Sequence, residues 1–284
     1  MCTLIVTSVS RSSYVLPFFG AVLGWRVMFC TVGVLSMLVS YLVYRDLKDP
    51  LREKDNTPKM SWALVKEEWA ILRKLLRNNT FVIIVLQGVF SGIPWNALSF
   101  MVMYFQFCGL SDPQAGLLVS LFVLACAIGG PLGGYIGDKA AQRYPDNGRA
   151  YAAQFSSLSG IPCMCVLLLV APRFAGSGSH IHLLGFAQIL IVMGLFCSWC
   201  SCAANRPILS EIVPERHRAS ILAWNIVLEG SAAAIFGAPL VGLLSEEVFG
   251  YVPVDVGVDI QSLAPEVQQK NIQALTFEKK HWIF

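Results

Sequence analysis

Residues 133–143 read Gly-Gly-Tyr-Ile-Gly-Asp-Lys-Ala-Ala-Gln-Arg, and Gly148-Arg149 follow after a short polar turn. This segment holds the densest mixture of glycine, aspartate and arginine in the chain. It lies between two long apolar runs, residues 115–136 and 151–171. A run of about 20 apolar residues can cross the hydrocarbon core of a bilayer as one helix. We therefore interpret the segment as a charged turn that joins two membrane-spanning helices.

The composition extends this interpretation to the whole chain. Of 284 residues, 55% are hydrophobic and 14% are charged, whereas soluble domains carry roughly 25% charged residues. Apolar runs of 18 or more residues recur, with polar loops between them. A helix can cross a membrane because it satisfies its own backbone hydrogen bonds. The sequence therefore predicts an all-α, multi-pass integral membrane protein, without indicating which membrane holds it.

The apolar runs and the polar segments divide the chain into five parts. We expect a partial helix, over about 14–24, and an outer turn in residues 1–24; a first full transmembrane helix in 25–44; a central loop in 45–79; a bundle of five transmembrane helices in 80–245; and a polar tail, without a final helix, in 246–284.

The second half of the central loop has helical periodicity. Trp62, Trp69 and Leu72 belong to an apolar series at three- and four-residue steps, with lysines and arginines on the opposite face. This pattern predicts an amphipathic helix over 61–77 that lies at the membrane surface. A structural role and a role as a regulatory target both fit such a helix.

The distribution of lysine and arginine predicts the orientation. Loops 45–77, 138–149 and 206–218 hold nine, three and three basic residues, whereas loops 108–114 and 172–180 together hold one, Arg173. Basic loops stay on the cytosolic side of a membrane. We therefore expect the first three loops to be cytosolic and the tail to be on the other side.

The charges of the 133–149 segment could form a latch across the loop ends. Asp138 lies at the membrane surface, Arg143 and Arg149 could bridge to Glu211, and Arg218 could bridge to Asp138. Single wet ion pairs contribute little, but several that share one seam could bias a two-state equilibrium. The alternative is a solvated loop that only sets the topology.

Several motifs, in this order, resemble the major facilitator superfamily. The segment from Gly134 to Arg149 is similar to the family's loop motif, although Tyr144-Pro-Asp-Asn147 lengthens the return turn. Glu211-Ile-Val-Pro-Glu-Arg-His-Arg218 is similar to the segment after the family's tenth helix. The Gly/Pro pattern from Gly230 to Gly242 looks like the packing motif of the next helix. Gly109-Leu-Ser-Asp-Pro-Gln-Ala115 and Ile93-Pro-Trp95 lean toward the Spinster-like branch.

This resemblance implies a helical bundle corresponding to helices six to eleven of a twelve-helix carrier, with a remnant of the preceding helix before it. It also implies two sets of functional residues. The cytosolic gate motif would comprise Gly134, Gly137, Asp138, Lys139, Arg143, Arg149, Glu211 and Arg218. The helix-packing motif would comprise Gly230, Gly237, Pro239 and Gly242.

Polar residues inside the apolar runs are candidates for a solute pathway. Gln87, Trp95 and Asn96 surround Pro94, which should kink its helix. Polar groups at membrane depth are costly unless they face a cavity or a partner helix. We therefore expect Gln87, Trp95, Asn96, Gln188 and Glu229 to line the lumen. Bonding between helices is the alternative for the polar residues around Pro94.

Glu229 is the acidic residue of the last apolar run, about 15 Å deep at 1.5 Å per residue from Ala219. An unpaired charge there costs about 2.5–3.5 kcal/mol on insertion scales. Glu229 should therefore be protonated, paired or in contact with water. Proton coupling and recognition of a cation or substrate are the functional interpretations. A neutral acid bonded to Asn225 or to a neighbouring helix is the structural one.

Cys197, Cys200 and Cys202 have spacing typical of a metal site, but histidine and carboxylate ligands are lacking nearby. Small-residue helix packing is the favoured interpretation, and we predict neither a metal nor a cofactor. The net charge of +3 resides in loops beside apolar spans, so nucleic acid is not an expected partner.

The function predicted from these features is transport of a small organic solute by alternating access, with proton coupling as a further option. An intramembrane enzyme is disfavoured because no pattern of catalytic residues occurs in a span. The alternative function is a truncated, non-transporting membrane fragment or a regulatory or assembly subunit. The expected partners are the lipid bilayer, the solute, protons, and a second copy of the chain or an N-terminal half.

Overall fold

The computed structural model describes residues 13–16, 20–47, 62–170, 180–254, 260 and 263–275. Residues 1–12, 17–19, 48–61, 171–179, 255–259, 261–262 and 276–284 lie outside this described part, and they include most of the expected linker before the amphipathic helix and nearly all of the loop at 172–180. The helices are α1 (Gly24–Asp46), α2 (Trp62–Leu75), α3 (Asn79–Ala97), α4 (Met101–Phe107), α5 (Asp112–Arg143), α6 (Gly148–Cys165), α7 (His180–Cys197), α8 (Arg206–Glu211), α9 (Arg218–Ala232), α10 (Ala238–Leu243) and α11 (Pro265–Leu275).

Short π-helical and 3-10 segments connect several of these helices end to end. The π-helical segments are Val166–Val170, Cys200–Asn205, Ala233–Gly237 and Leu244–Val248, and the 3-10 turns are Leu98–Phe100 and Glu215–His217. Six continuous segments of the described chain are thereby long and apolar enough to cross a membrane: Gly24–Asp46, Asn79–Phe107, Asp112–Arg143, Gly148–Leu169, Leu183–Glu211 and Arg218–Val248. The prediction of a helical, multi-pass membrane protein is confirmed.

The expected helix remnant over 14–24 is wrong. The chain there forms an antiparallel ribbon of β1 (Ser13–Leu16) and β2 (Gly20–Leu23), in which Ser13 pairs with Leu23 and Leu16 with Gly20. Pro17 would remove a backbone hydrogen bond from a helix at this point. The apolar composition, which suggested the end of a span, is equally compatible with strands.

Helix α1 follows the ribbon directly and is exposed along nearly its whole length. Several of its apolar side chains, among them Phe29, Met37 and Tyr41, are more than half exposed. In water such a helix would be unfavourable, so this surface requires lipid or another chain. The remaining spans pack against one another.

The closest packing in the bundle is between α5 and the span that begins with α7. Gly129, Gly133 and Gly137 lie four residues apart on one face of α5, and a Cβ atom on any of them would collide with the partner span. A Cβ at Gly137, for example, would lie 2.8 Å from Ala203 Cβ and 2.9 Å from Ala203 O. Small residues at this spacing allow two backbones to approach closely.

Helix α6 is tied to the same span by a buried hydroxyl. Ser156 is fully buried, and its Oγ atom donates to Phe196 O at 2.7 Å and accepts from the backbone N–H of Trp199 at 3.3 Å. Both backbone groups lie around Ser198, where the helical pattern is interrupted. The serine therefore partners backbone groups that the interruption affects.

Two apolar clusters occupy the two ends of the bundle. One centres on Phe105, Leu118 and Leu190, and there the Tyr104 hydroxyl donates to Leu167 O at 2.8 Å. The other joins Leu75 of α2 to Phe81 and other residues at the starts of the spans. We call the end of the bundle with the Phe105 cluster the tail end and the end with the Leu75 cluster the latch end.

The amphipathic helix expected over 61–77 spans Trp62–Leu75 and packs on the beginning of α9. The Trp69 and Trp224 rings lie 6.0 Å apart, and Ser220 Oγ donates to Glu68 Oε1 at 3.1 Å. At the opposite end, α11 packs near α4. The fully buried Asn271 of α11 accepts from Val252 N at 2.8 Å and donates to Val252 O at 3.0 Å.

Substituting Gly137 by alanine should destabilise the bundle, whereas Gly134→Ala should not. Alanine gains about 1 kcal/mol of helix propensity over glycine at either position. A Cβ at Gly137 must displace the backbone of residue 203, whereas a Cβ at Gly134 meets no atom within 4 Å. Thermal unfolding in detergent, followed by size-exclusion chromatography, measures the difference. Equal midpoints for the two variants would contradict the close packing of α5.

Candidate functional site

Arg149, in the first turn of α6, joins three parts of the latch end. Its Nη1 atom donates to Asp138 Oδ1 at 2.9 Å and to Ala203 O at 3.3 Å, and Nη2 donates to Glu211 Oε1 at 3.3 Å. A guanidinium can reach several acceptors at once because its five N–H donors form a planar fork. We call Asp138, Arg149 and Glu211 the latch.

The latch is formed by a largely buried guanidinium and two solvent-exposed carboxylates. The side chain of Arg149 is 20% exposed, whereas Asp138 and Glu211 are 63% and 61% exposed. Exposed ion pairs typically contribute about 0.2–1 kcal/mol each. Two such pairs and a backbone hydrogen bond are therefore weak enough to open and strong enough to bias a two-state equilibrium.

A proline frees the carbonyl that Arg149 reaches. In an α-helix the carbonyl of Ala203 would accept from the N–H of residue 207. Pro207 has no N–H, and the chain passes this point as the π-helical segment Cys200–Asn205. Arg149 supplies a donor to the Ala203 carbonyl, so the latch also reinforces an irregular part of the span.

The tight return turn explains why Arg149 occupies this position. A Cβ on Gly148 would collide with the backbone of Ala140 and Ala141, so the start of α6 lies directly against the last turns of α5. The Gly148 N–H donates to Tyr144 O at 2.8 Å. The longer turn at 144–147 is accommodated without separating the two helices.

The other residues of the predicted gate motif lie elsewhere. The expected bridge from Arg218 to Asp138 is wrong, because Arg218 Nε donates to Ser210 O at 3.0 Å and Nη1 lies 3.5 Å from Glu215 Oε1. Both acceptors are within eight residues of Arg218 in the sequence, and they occupy its donors in place of Asp138. Of the two bridges to Glu211 that were expected, the structure contains the one from Arg149, whereas Arg143 forms no ion pair with the described residues.

Two further motif residues differ in their surroundings. The Lys139 ammonium lies 4.9 Å from the centre of the Tyr135 ring, which is a cation–π distance. A Cβ on Gly134 would meet no atom within 4 Å, whereas Gly137 packs closely against Ala203.

A cavity of about 520 Å³ lies between α3, the Cys200–Asn205 segment and α9. Its lining residues are Gln87, Gly88, Ser91, Trp95, Cys197, Ser198, Cys200, Ser201, Asn205, Arg206, Leu222, Asn225, Ile226 and Glu229. We call it the central cavity. Its volume is within the range of about 300–1,000 Å³ of sites for organic ligands.

A polar network crosses one wall of the central cavity. Asn205 Nδ2 donates to Gln87 Oε1 at 2.8 Å, and Gln87 Nε2 donates to Cys200 Sγ at 3.3 Å. Cys200 Sγ lies 3.8 Å from Asn205 Oδ1, which closes a triangle. The network fixes α3 to the π-helical segment, so the latch and the cavity share one irregular turn of the chain.

Glu229 lies against the backbone of α3. Its carboxyl group occupies the space that a side chain on Gly88 would need. The Asn225 side chain and the charge of Arg206 interact with this carboxyl group, yet its Oε1 atom is buried without a hydrogen-bond partner. The predicted acid therefore borders the cavity, with one buried oxygen that lacks a hydrogen-bond partner.

The other predicted lumen residues divide into two groups. Gln87 and Trp95 line the cavity, and the Trp95 ring lies 5.7 Å from that of Phe122. Asn96 instead donates to Gly92 O at 2.8 Å and packs on Gly237, and Gln188 is exposed on α7; neither lines the cavity. Both helices are apolar all round, so periodicity could not distinguish a cavity face from other faces.

Of the predicted helix-packing motif, Gly237 makes a close contact with a neighbouring helix. Gly237 is buried, and a Cβ there would lie 3.0 Å from the Asn96 side chain. A Cβ on Gly230 or on Gly242 would meet no atom within 4 Å, and Pro239 is exposed. Of the four motif positions, Gly237 is therefore the one in close contact with α3.

Sequence reasoning missed the cavity roles of Gly88, Ser198, Asn205 and Arg206. The adjacent polar pair Asn205-Arg206 at the end of an apolar run is a usable signal. So is the spacing of Asn225 and Glu229, because residues four apart lie on one face of a helix.

The architecture defines the class of protein. Six apolar spans, a charged latch at one end and a polar cavity within the bundle are features of a multi-pass membrane transporter. A family model described as Major Facilitator Superfamily matches residues 4–252. The chain belongs to this family of membrane transporters. Comparisons with curated proteins and with solved structures gave no match.

Arg149→Gln should lower the thermal stability of the protein, whereas Arg143→Gln should leave it nearly unchanged. The first variant removes donors to two carboxylates and a carbonyl, a loss of roughly 1–3 kcal/mol. Arg149→Lys should retain only part of the stability that Arg149→Gln loses, because an ammonium group cannot reproduce the planar fork of a guanidinium. Unfolding midpoints in detergent at low and high salt measure the effect. Full recovery by lysine would contradict the three-way geometry.

Gly88→Ala should displace the Glu229 carboxyl group without unfolding the bundle. The group that must move is the end of a flexible side chain, so the substitution should resemble the loss of Glu229 in any transport assay. Gly185→Ala is the matched control, because a Cβ there meets no atom within 4 Å. Normal transport by Gly88→Ala would show that the position of the carboxyl group is unimportant.

Proposed function

We propose that the chain moves a small organic solute across a bilayer by alternating access, with the solute bound in the central cavity. The observation that carries this proposal is the cavity itself, where polar groups from α3, α9 and the π-helical segment converge between apolar spans. Sites near the midplane, built partly from irregular helix segments, are typical of secondary transporters.

The latch would act as the gate of this cycle. We infer that the latch end is cytosolic, because its loops carry the excess of lysine and arginine. Arg149 contacts the π-helical segment through Ala203 O, and the same segment holds Asn205 on Gln87. Opening the latch would therefore release a turn that also forms a cavity wall.

We further propose that Glu229 couples transport to protons. A carboxyl group at membrane depth with one unpartnered oxygen must bind a proton, a cation or a donor group to avoid a large desolvation cost. Release of a bound proton to one side and its replacement from the other would give the cycle a direction. Arg206 and Asn225, which interact with this carboxyl group, would modulate its protonation.

Glu229→Gln should abolish concentrative uptake while leaving expression and insertion unchanged. The test uses proteoliposomes holding the full chain, an imposed inward proton gradient, and a mixture of amino acids, amines, organic acids, sugars and nucleosides, with accumulation measured by mass spectrometry. Glu247→Gln is the control, because Glu247 is exposed and outside the cavity. Unchanged concentrative uptake by Glu229→Gln would exclude the coupling role.

A second candidate function is that of a non-transporting subunit. The exposed apolar surface of α1 favours it, because this surface would be covered by another chain in a larger assembly. If the wild-type proteoliposomes accumulate no solute, while native mass spectrometry detects the chain bound to a second copy or to another membrane protein, the subunit function is supported instead.

A further inference from the structure

The central cavity collects the unsatisfied polar atoms of the bundle. In the described part of the chain, three buried side-chain atoms lack a hydrogen-bond partner: Ser198 Oγ, Asn225 Oδ1 and Glu229 Oε1. All three residues line this cavity, and Asn225 is only 6% exposed. Buried polar atoms without partners are rare in folded proteins, and each requires an explanation. A bound ligand that supplies donors is one.

The chemistry of these atoms selects the ligand group. Two of them, the Glu229 carboxylate oxygen and the Asn225 amide oxygen, can only accept hydrogen bonds, whereas the Ser198 hydroxyl lies against Gly129 of α5, which does not line the cavity. An ammonium group has three donors and a positive charge, so it can donate to these two oxygens and neutralise Glu229. The Trp95 ring in the cavity wall is a further favourable surface for a cation.

The charge of Arg206 in the cavity wall favours a zwitterionic ligand over a simple cation. Arg206 lines the same cavity, and its guanidinium makes no hydrogen bond or ion pair with the described residues. Glu229 and Arg206 are thus opposite charges that line one cavity without forming a salt bridge. A monovalent cation would leave Arg206 uncompensated, whereas a zwitterion leaves the occupied cavity neutral.

We propose that the central cavity binds a zwitterionic organic solute, whose ammonium group contacts Glu229 and Asn225 and whose anionic group contacts Arg206. This proposal rests on the proposed transport function and names its class of substrate. Because the two protein charges are not in direct contact, the two charges of the solute should be separated by a spacer. The cavity volume of about 520 Å³ accommodates such a molecule.

Binding to the full chain in detergent tests the proposal without requiring transport. The probes are amino acids with increasing distance between their charges, from glycine and γ-aminobutyrate to 8-aminooctanoate. Each is compared with its amide, which is a cation, and its N-acetyl derivative, which is an anion. The shift of the unfolding midpoint with ligand concentration gives the affinity, because a ligand stabilises the state that binds it.

The expected result is that at least one zwitterion binds more tightly than both of its derivatives. Loss of a hydrogen bond to a charged group should weaken binding on the order of tenfold to a hundredfold. Glu229→Gln should reduce the preference for the zwitterion over the anion, and Arg206→Gln the preference over the cation. Glu247→Gln and Arg73→Gln, both exposed and outside the cavity, should preserve the wild-type order.

Equal binding of the zwitterion and its cationic amide would overturn the role of Arg206 and leave a simple cation site. Absence of binding by every member of the series would overturn the proposal as a whole. Either result leaves the proposed transport function intact if the proteoliposomes accumulate another solute, so the two failures are distinguishable.

Discussion

The close approach of α5 to the span that begins with α7 is the constraint on which the rest of the bundle depends. Gly129, Gly133 and Gly137 have no side chain to pack and a low helix propensity, but they allow the backbone of α5 to contact the backbone of the other span. This contact places Ala203 beside the end of α5. Arg149, which enters from the adjoining return turn, can therefore reach Asp138 on one span and Ala203 O on the other with a single guanidinium.

The sequence is sufficient to predict the features that the lipid and water around the chain require, namely apolar spans and charged loop ends. Long apolar runs predict spans because hydrocarbon cannot satisfy an irregular backbone, and the spacing of the charged residues at 138, 149 and 211 favours one latch. The choice of arginine is not predictable, because it depends on Gly148 lying against Ala140 rather than on the charges. Likewise the sequence could not show that Gln188 and Asn96 lie outside the central cavity, since a helix that is apolar all round gives no sign of which face meets a cavity.

The polar interior arises from interruptions of regular helix. Pro207 removes a backbone donor, the chain adopts a π-helical turn, and Cys200 and Asn205 then bond with Gln87 across the bundle. Such turns occur frequently at functional sites because they change the direction of side chains along a span. The same turn contacts the latch through Ala203 O and Gln87 through Asn205, so it connects the latch to the cavity wall.

The length of α5 adds a consequence for the medium in which the latch operates. Its 32 residues extend about 48 Å at 1.5 Å per residue, whereas the hydrocarbon core of a bilayer is about 30 Å thick. The excess must project beyond the hydrocarbon or be absorbed by tilt. Asp138 lies near the C-terminal end of α5 and is 63% exposed, so dissolved salt weakens its ion pair with Arg149. Glu229, deeper in the bundle, is shielded from that screening, so ionic strength should affect the two charged centres unequally.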